Sequence, residues 1–156
     1  MISVTINNKT FNIPEQGQEP GWGEDVTAYL VELANVINFL TAPGDIINSV
    51  SIINNNVTTP SDVLGMQFSN ANTRSARVTY QVKRQVTGNI LIQSGTLYLD
   101  WNPQTSSWTI TEDFTAGNAG ITFSVTASGQ VRYTTTNMTG SGYQGEISFS
   151  AKTLPV

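Results

Sequence analysis

The sequence predicts a mainly β protein: an antiparallel β-sandwich or jelly roll, preceded by an N-terminal β-hairpin and one α-helix. Three observations predict it. Between residues 75 and 86, Ala76, Val78, Tyr80 and Val82 alternate with Arg77, Thr79, Gln81 and Lys83, the period of two that a strand with one dry and one wet face requires. After a turn at Thr87-Gly88-Asn89 the chain returns through Ile90-Leu91-Ile92, then places Leu97, Leu99 and Trp101 inward and Thr96, Tyr98 and Asp100 outward. From residue 45 onward, strand-length segments recur at regular spacing, punctuated by Gly65, Gly88, Gly95, Gly117-Asn118, Ser128-Gly129 and Gly140-Ser141-Gly142, as in a sandwich or jelly roll.

Composition agrees. Only 12% of residues are charged, roughly half the usual share. Thr, Ser, Asn, Gln and 13 Gly make up the difference, a mix that suits solvent-facing strand positions and tight turns. At 156 residues the chain has the length of about one domain and can bury a core without covalent staples. The net charge is −4 with seven Lys and Arg, which argues against a nucleic-acid partner, because phosphate binding draws on clustered cations. The absence of both Cys and His removes disulfides, thiolate chemistry, Cys/His zinc sites and His-dependent triads. Met1 leads directly into Ile2-Ser3-Val4, so no secretory leader is expected. No window approaches the roughly 18 apolar residues of a membrane span, and no membrane partner is expected.

Taken in order, Ile2, Val4 and Ile6 alternate with polar residues, Asn7-Asn8-Lys9 supplies a turn, and Thr10-Phe11-Asn12-Ile13 returns, giving a small hairpin. Pro14 ends it, and residues 15–23 (EQGQEPGWG) form a loop with one large anchor, Trp22. Residues 24–41 read as the helix: Val26, Leu30, Leu33, Ile37 and Leu40 fall at steps of 4, 3, 4 and 3, a seam on one face. Tyr29, Ala34 and Val36 widen it, Glu24 and Asp25 suit the positive end of the helix dipole, and Pro43-Gly44 stops it. So wide a stripe on so short a helix calls for a partner surface: the β-domain, a second copy of the chain, or another protein. The expected division is 1–44 and 45–156. Strands are expected at 46–53, 63–69, 75–86, 90–101, 107–111, 121–127, 130–136 and 146–152, with Gly95 marking a bulge.

Charge is laid out unevenly. Between Lys9 and Arg74 there are seven carboxylates (Glu15, Glu19, Glu24, Asp25, Glu32, Asp45, Asp62) and no cation, whereas Arg74, Arg77, Lys83 and Arg84 follow with no acid among them. Solvated faces account for this in the simplest way. The sharper reading docks the acidic arm on a basic strand carrying Arg77 and Lys83, in a neighbouring copy or another protein. Interface candidates are therefore Trp22, Val26, Tyr29, Leu30, Leu33, Ile37, Leu40, Arg77 and Lys83, with Trp22 either pinning the helix or anchoring an interface.

No catalytic site is expected. Paired carboxylates could cleave glycosides, but Glu112 and Asp113 are adjacent at an expected strand end, with Asp100 the other candidate. No Asp-rich calcium loop, P-loop or dinucleotide fingerprint occurs, so no metal or cofactor is expected. Trp101 and Trp108 flank a hairpin tip at 102–107 that could stack on a sugar, although each continues an inward alternation and reads as core. The outer tips, 102–107 and 139–143, with Asn102, Gln104 and Tyr143, make a candidate face for a host surface glycan or receptor.

The opening ISVTINNKTFNIPEQGQEPGWGEDVTAYLVELANVIN resembles an N-terminal segment recurring among structural proteins of tailed bacteriophages, where a hairpin, a Gly-Trp-Gly turn and a helix precede a β-domain. The remainder, with RSARVTYQVKRQ, SGTLYLDWN, AGITFSVTASGQVRYTTTNMTG and GYQGEISFSAKTL, is similar to compact β-modules that end phage fibre and capsid-surface proteins. The resemblance implies a non-enzymatic virion component, made in the host cytoplasm and placed on the external surface of the particle. It implies a homotrimer whose N-terminal module attaches to the major capsid protein or another virion protein. No coiled-coil or β-helix shaft separates the two modules, so a small capsid decoration or head-fibre protein is expected ahead of a tail-fibre or baseplate recognition module.

Overall fold

The computed structural model describes residues 2–6, 9–13, 26–33, 35, 42 and 44–156. The chain divides into two compact units, Met1–Ala42 and Pro43–Val156.

In the first unit, β1 (Ile2–Ile6) pairs antiparallel with β2 (Lys9–Ile13), with Ile2 opposite Ile13 and Val4 opposite Phe11. This is the hairpin the alternation calls for. Helix α1 covers 26–33. Val26, Tyr29 and Leu33 are half-buried on it and Glu32 is buried, whereas Leu30 and Val31 lie exposed. The seam is therefore only partly covered. Asn35 is helical as well, while Trp22, Ile37, Leu40 and the other positions of the expected helix 24–41 lie outside the described residues.

The second unit is a sandwich of two antiparallel sheets. Its strands are β3 (Ile46–Ile52), β4 (Ser61–Gln67), β5 (Thr73–Val86), β6 (Asn89–Asn102), β7 (Ser107–Gly117), β8 (Ile121–Val125), β9 (Gln130–Thr135) and β10 (Gln144–Pro155). One sheet runs β3-β10-β5-β6-β7 and the other β4-β9-β8. The two long strands form the centre of the larger sheet, with Val78 opposite Leu97 and Ala76 opposite Leu99. Their inward residues meet Val63, Met66, Val131 and Tyr133 of the smaller sheet, and Phe68 just past β4, in one core. Each large apolar side chain so buried contributes about 1.5–3 kcal/mol.

The larger sheet differs from expectation along β7, which continues six residues past Thr111. A register shift in the β6–β7 ladder makes this workable. It falls between Ser94 and Gly95, as the glycine suggests, with the extra residue on β7 between Phe114 and Ala116. At the start of β3, the two oxygens of Asp45 reach the Thr153 amide (2.7 Å) and the Lys152 ammonium (2.8 Å). Asp62 pairs with Arg132 at 2.7 Å. Two of the seven carboxylates in the acidic stretch are thus engaged inside the sandwich.

Candidate functional site

Alternation along β5 sorts the basic residues into two environments. Arg77 and Lys83 fall on the outer face, Arg77 with its guanidinium carbon 5.9 Å from the Tyr98 ring centre and Lys83 half-buried, opposite Ile92 and Glu146 in the ladders. Arg84 belongs to the inward series with Tyr80, Val82 and Val86 and has no exposed surface. Its Nε donates to the Tyr143 hydroxyl (3.0 Å). Nη1 donates to the carbonyls of Ala119 (2.5 Å) and Gly120 (3.2 Å), and Nη2 to Asn55 Oδ1 (3.0 Å) and the Thr136 carbonyl (2.6 Å). Grouping Arg84 with the surface cations, as its place in the sequence suggests, is corrected by its place in the pleat. Its charge is met by carbonyl dipoles, with the Tyr143 ring 5.7 Å away.

Next to this strut is a cleft of about 660 Å³, lined from both sheets by residues that include Gln93, Glu112, Asn118, Ile121, Thr122, Thr134 and Thr136, with Val57 and Thr58. Glu112 and Asp113 are neighbours on β7 and so point to opposite faces. Glu112 shares the inward face with Leu97, its partner across the ladder. Its Oε1 accepts from the Tyr80 hydroxyl at 2.5 Å and from Gln93 Nε2 at 2.9 Å. Gln93 Nε2 also donates to the Tyr80 oxygen (3.0 Å), and Gln93 Oε1 accepts from the Ala119 amide (2.9 Å). These residues come from β5, β6, β7 and the β7–β8 connection, so no sequence spacing announces them. Among the described residues, no group of three or more acidic side chains is placed to hold a metal ion. No described helix is long and apolar enough to cross a membrane.

Burial, and then the hydrogen bond to Glu112, push the Tyr80 phenol well above its ordinary value of 10.0. Because the folded-state pKa is the raised one, this stabilisation is fully present below about pH 10 and is lost as the pH rises further. Tyr80→Phe is expected to cost about 1–2 kcal/mol at neutral pH. Between pH 9 and 11 it should lose stability less steeply than the wild type, as read by urea denaturation at each pH. Parallel pH profiles would refute this assignment.

Trp101 and Trp108 are packing residues. Trp108 is buried, 5.7 Å from the Trp101 ring centre and 6.5 Å from that of Phe68. Of the candidate ligand-face residues, Asn102 caps its own turn, its Oδ1 accepting from the Gln104 amide at 2.9 Å, and Gln104 is exposed. The Tyr143 hydroxyl turns inward, accepting from Arg84 and donating to the Ile53 carbonyl at 3.0 Å. The two tips do not form one face. Tyr143 adjoins the ladder end where Gln144 pairs with Gln85, while Asn102 lies beyond the other end, where Ser75 pairs with Asp100. At strand rise the two ends are on the order of 30 Å apart.

No protein-family model matches the sequence, and comparison with curated proteins finds no match. Among solved structures, the crystal structure of the Acinetobacter phage vB_ApiP_P1 tailspike protein aligns with a TM-score of 0.46 at 12% identity. The alignment covers 70% of this chain and 22% of the tailspike, so the chain spans about a fifth of that protein.

Proposed function

We propose that this chain is a non-enzymatic structural protein of a phage particle, a homotrimeric decoration or head-fibre protein attached through its N-terminal module and displaying the sandwich outward. The sequence resemblance to phage structural proteins supports the particle. The subunit reading is carried by one observation, the contrast between the two edges of the larger sheet. Edge strand β7 has Glu112, Asp113 and the bulge at Gly95, devices that discourage edge pairing. Edge strand β3 contains no charged residue and leaves Ile47 (84%), Val50 (60%) and Ile52 (73%) exposed. Beside it on β4, Leu64 is exposed as well, its amide tied to Ser51 Oγ at 3.1 Å. An apolar, charge-free edge of this kind suits burial between subunits. The non-enzymatic reading is supported by Glu112 and Asp113 facing opposite ways, which denies them a shared substrate.

Light scattering on the purified chain is expected to give the mass of three copies, and Val50→Lys with Ile52→Lys to bring it down to one. Added to shells that lack it, the wild type should raise their melting temperature, because binding only to the assembled state favours that state. Absence of shell binding at micromolar concentration would remove the decoration role. The second reading, a tail-fibre or baseplate recognition module, predicts instead that the protein binds host cells and blocks adsorption.

A further inference from the structure

One oxygen of the Glu112 carboxylate serves the packing of the sandwich, and the other does not. Its Oε1 is fixed by Tyr80 and Gln93, and Gln93 is itself fixed by the Ala119 amide. Its Oε2 has no hydrogen-bond partner among the described residues, although Glu112 lines the cleft and is half-buried. Arg84 forms no ion pair with it: its N–H groups go to other acceptors, among them Gly120 and Thr136 of the cleft wall. The result is a preorganised acceptor in a polar cleft that has no other charged side chain among the described residues. Its volume of about 660 Å³ falls within the range of small-molecule sites.

The wall chemistry narrows the ligand. Thr58, Thr122, Thr134 and Thr136 bring hydroxyls, and Asn118 and Gln93 bring amides; these groups donate and accept without charge. The register turns Thr122 and Thr134 away from the core, so the cleft runs from Glu112 between the sheets round the β8 rim. Val57 and Ile121 add apolar surface. A fixed carboxylate at the inner end of a cleft whose outer wall brings neutral hydroxyls and C–H contacts complements a molecule that presents adjacent O–H donors and an apolar ring face. An anionic ligand would be repelled by Glu112, and a simple amine would leave the threonines unused.

We propose that this cleft is a saccharide-binding site, taking one neutral hexopyranose unit with Glu112 Oε2 accepting from its hydroxyls. The site depends on neither the oligomeric state nor the place of the chain on a particle, so it stands or falls separately from the function proposed above. Among the described residues no aromatic ring lines the cleft, so affinity for a single unit is expected to be millimolar, without the stacking that strengthens many sugar sites.

The test is a titration of the full chain, followed by amide and side-chain amide NMR shifts, with the methyl glycosides of glucose, galactose, mannose and N-acetylglucosamine. At least one should move the signals of Asn118, Gly120, Thr122 and the Gln93 side chain along one saturable curve. Glu112→Gln, which keeps the shape and an acceptor for Tyr80, should weaken that binding at least tenfold, the usual consequence of losing a charge-assisted hydrogen bond. Thr122→Val, on an exposed position away from the Tyr80 network, should weaken it severalfold and serves if Glu112→Gln folds poorly. Four silent titrations would overturn the proposal. So would shifts confined to 102–107 or 139–143, or spermidine moving the same cleft signals at lower concentration than any of the sugars.

Discussion

Arg84→Met is expected to lower the stability of the sandwich by about 3–5 kcal/mol, the scale for breaking a buried charge network by removing one member. The size follows from what stays behind. Methionine fills much of the volume of the arginine stem but donates nothing, so the carbonyls of Ala119, Gly120 and Thr136 lose a donor together with Asn55 Oδ1. Gly120 keeps the Thr136 amide and Asn55 Oδ1 keeps the Met138 amide, so the carbonyls of Ala119 and Thr136 carry the loss. Each buried acceptor left unpaired costs about 1–3 kcal/mol, and water entering from the cleft would offset part of it. Removing an ion pair outright can be neutral or stabilising when both members become apolar; here the partners are mostly backbone and cannot be exchanged. Arg84→Lys should be nearly as damaging, since an ammonium cannot reproduce the planar fork that reaches several acceptors at once. Thermal melts followed by circular dichroism should show both variants at least about 10 °C below the wild type. A shift of only a degree or two would mean that Arg84 is not the tie between these segments.

Arg84 also shows what the sequence made legible and what it hid. The inward series of β5 extends through Arg84 and Val86 by the same step of two that identifies the strand, so its burial was available from periodicity alone. Reading Arg74, Arg77, Lys83 and Arg84 as solvated left Arg84 in water, whereas the pleat turns it to the opposite face from its neighbour Lys83. The two long strands, the hairpin and the bulge at Gly95 were legible because each depends on local alternation or on a glycine. The end of β7 was not, because Glu112-Asp113 reads as a turn until the ladder with β6 carries the strand past it. Sheet order was hidden too. Nothing local says that β10 lies between β3 and β5; that follows from the fit of whole faces. The cleft belongs to the same class of hidden feature, since Gln93, Glu112 and Thr136 meet only once both sheets are in place.

The remaining large effect is expected at Gly129, in the tight connection between β8 and β9. Its φ is +78°, a region that costs other L-residues roughly 1–2 kcal/mol. Conformation is only part of the cost. The Gly129 carbonyl accepts from the Phe68 amide at 3.0 Å, which draws the two backbones so close that a Cβ on Gly129 would sit 1.9 Å from the Phe68 carbonyl oxygen and 2.9 Å from Trp108 Nε1. Backbone and a buried indole must both give way, and forcing extra atoms into a packed interior adds about 1–3 kcal/mol. Gly88, in the β5–β6 turn, is the matched control, because its φ is +82° and a Cβ there would meet nothing within 4 Å. Gly88→Ala therefore isolates the conformational part and should cost about 1–2 kcal/mol, while Gly129→Ala should cost about 2–5 kcal/mol. Urea denaturation of the two variants measures the difference. Equal losses would mean that the Phe68 backbone yields without resistance, and that this end of the sandwich is held by its side chains rather than by the close approach of its two backbones.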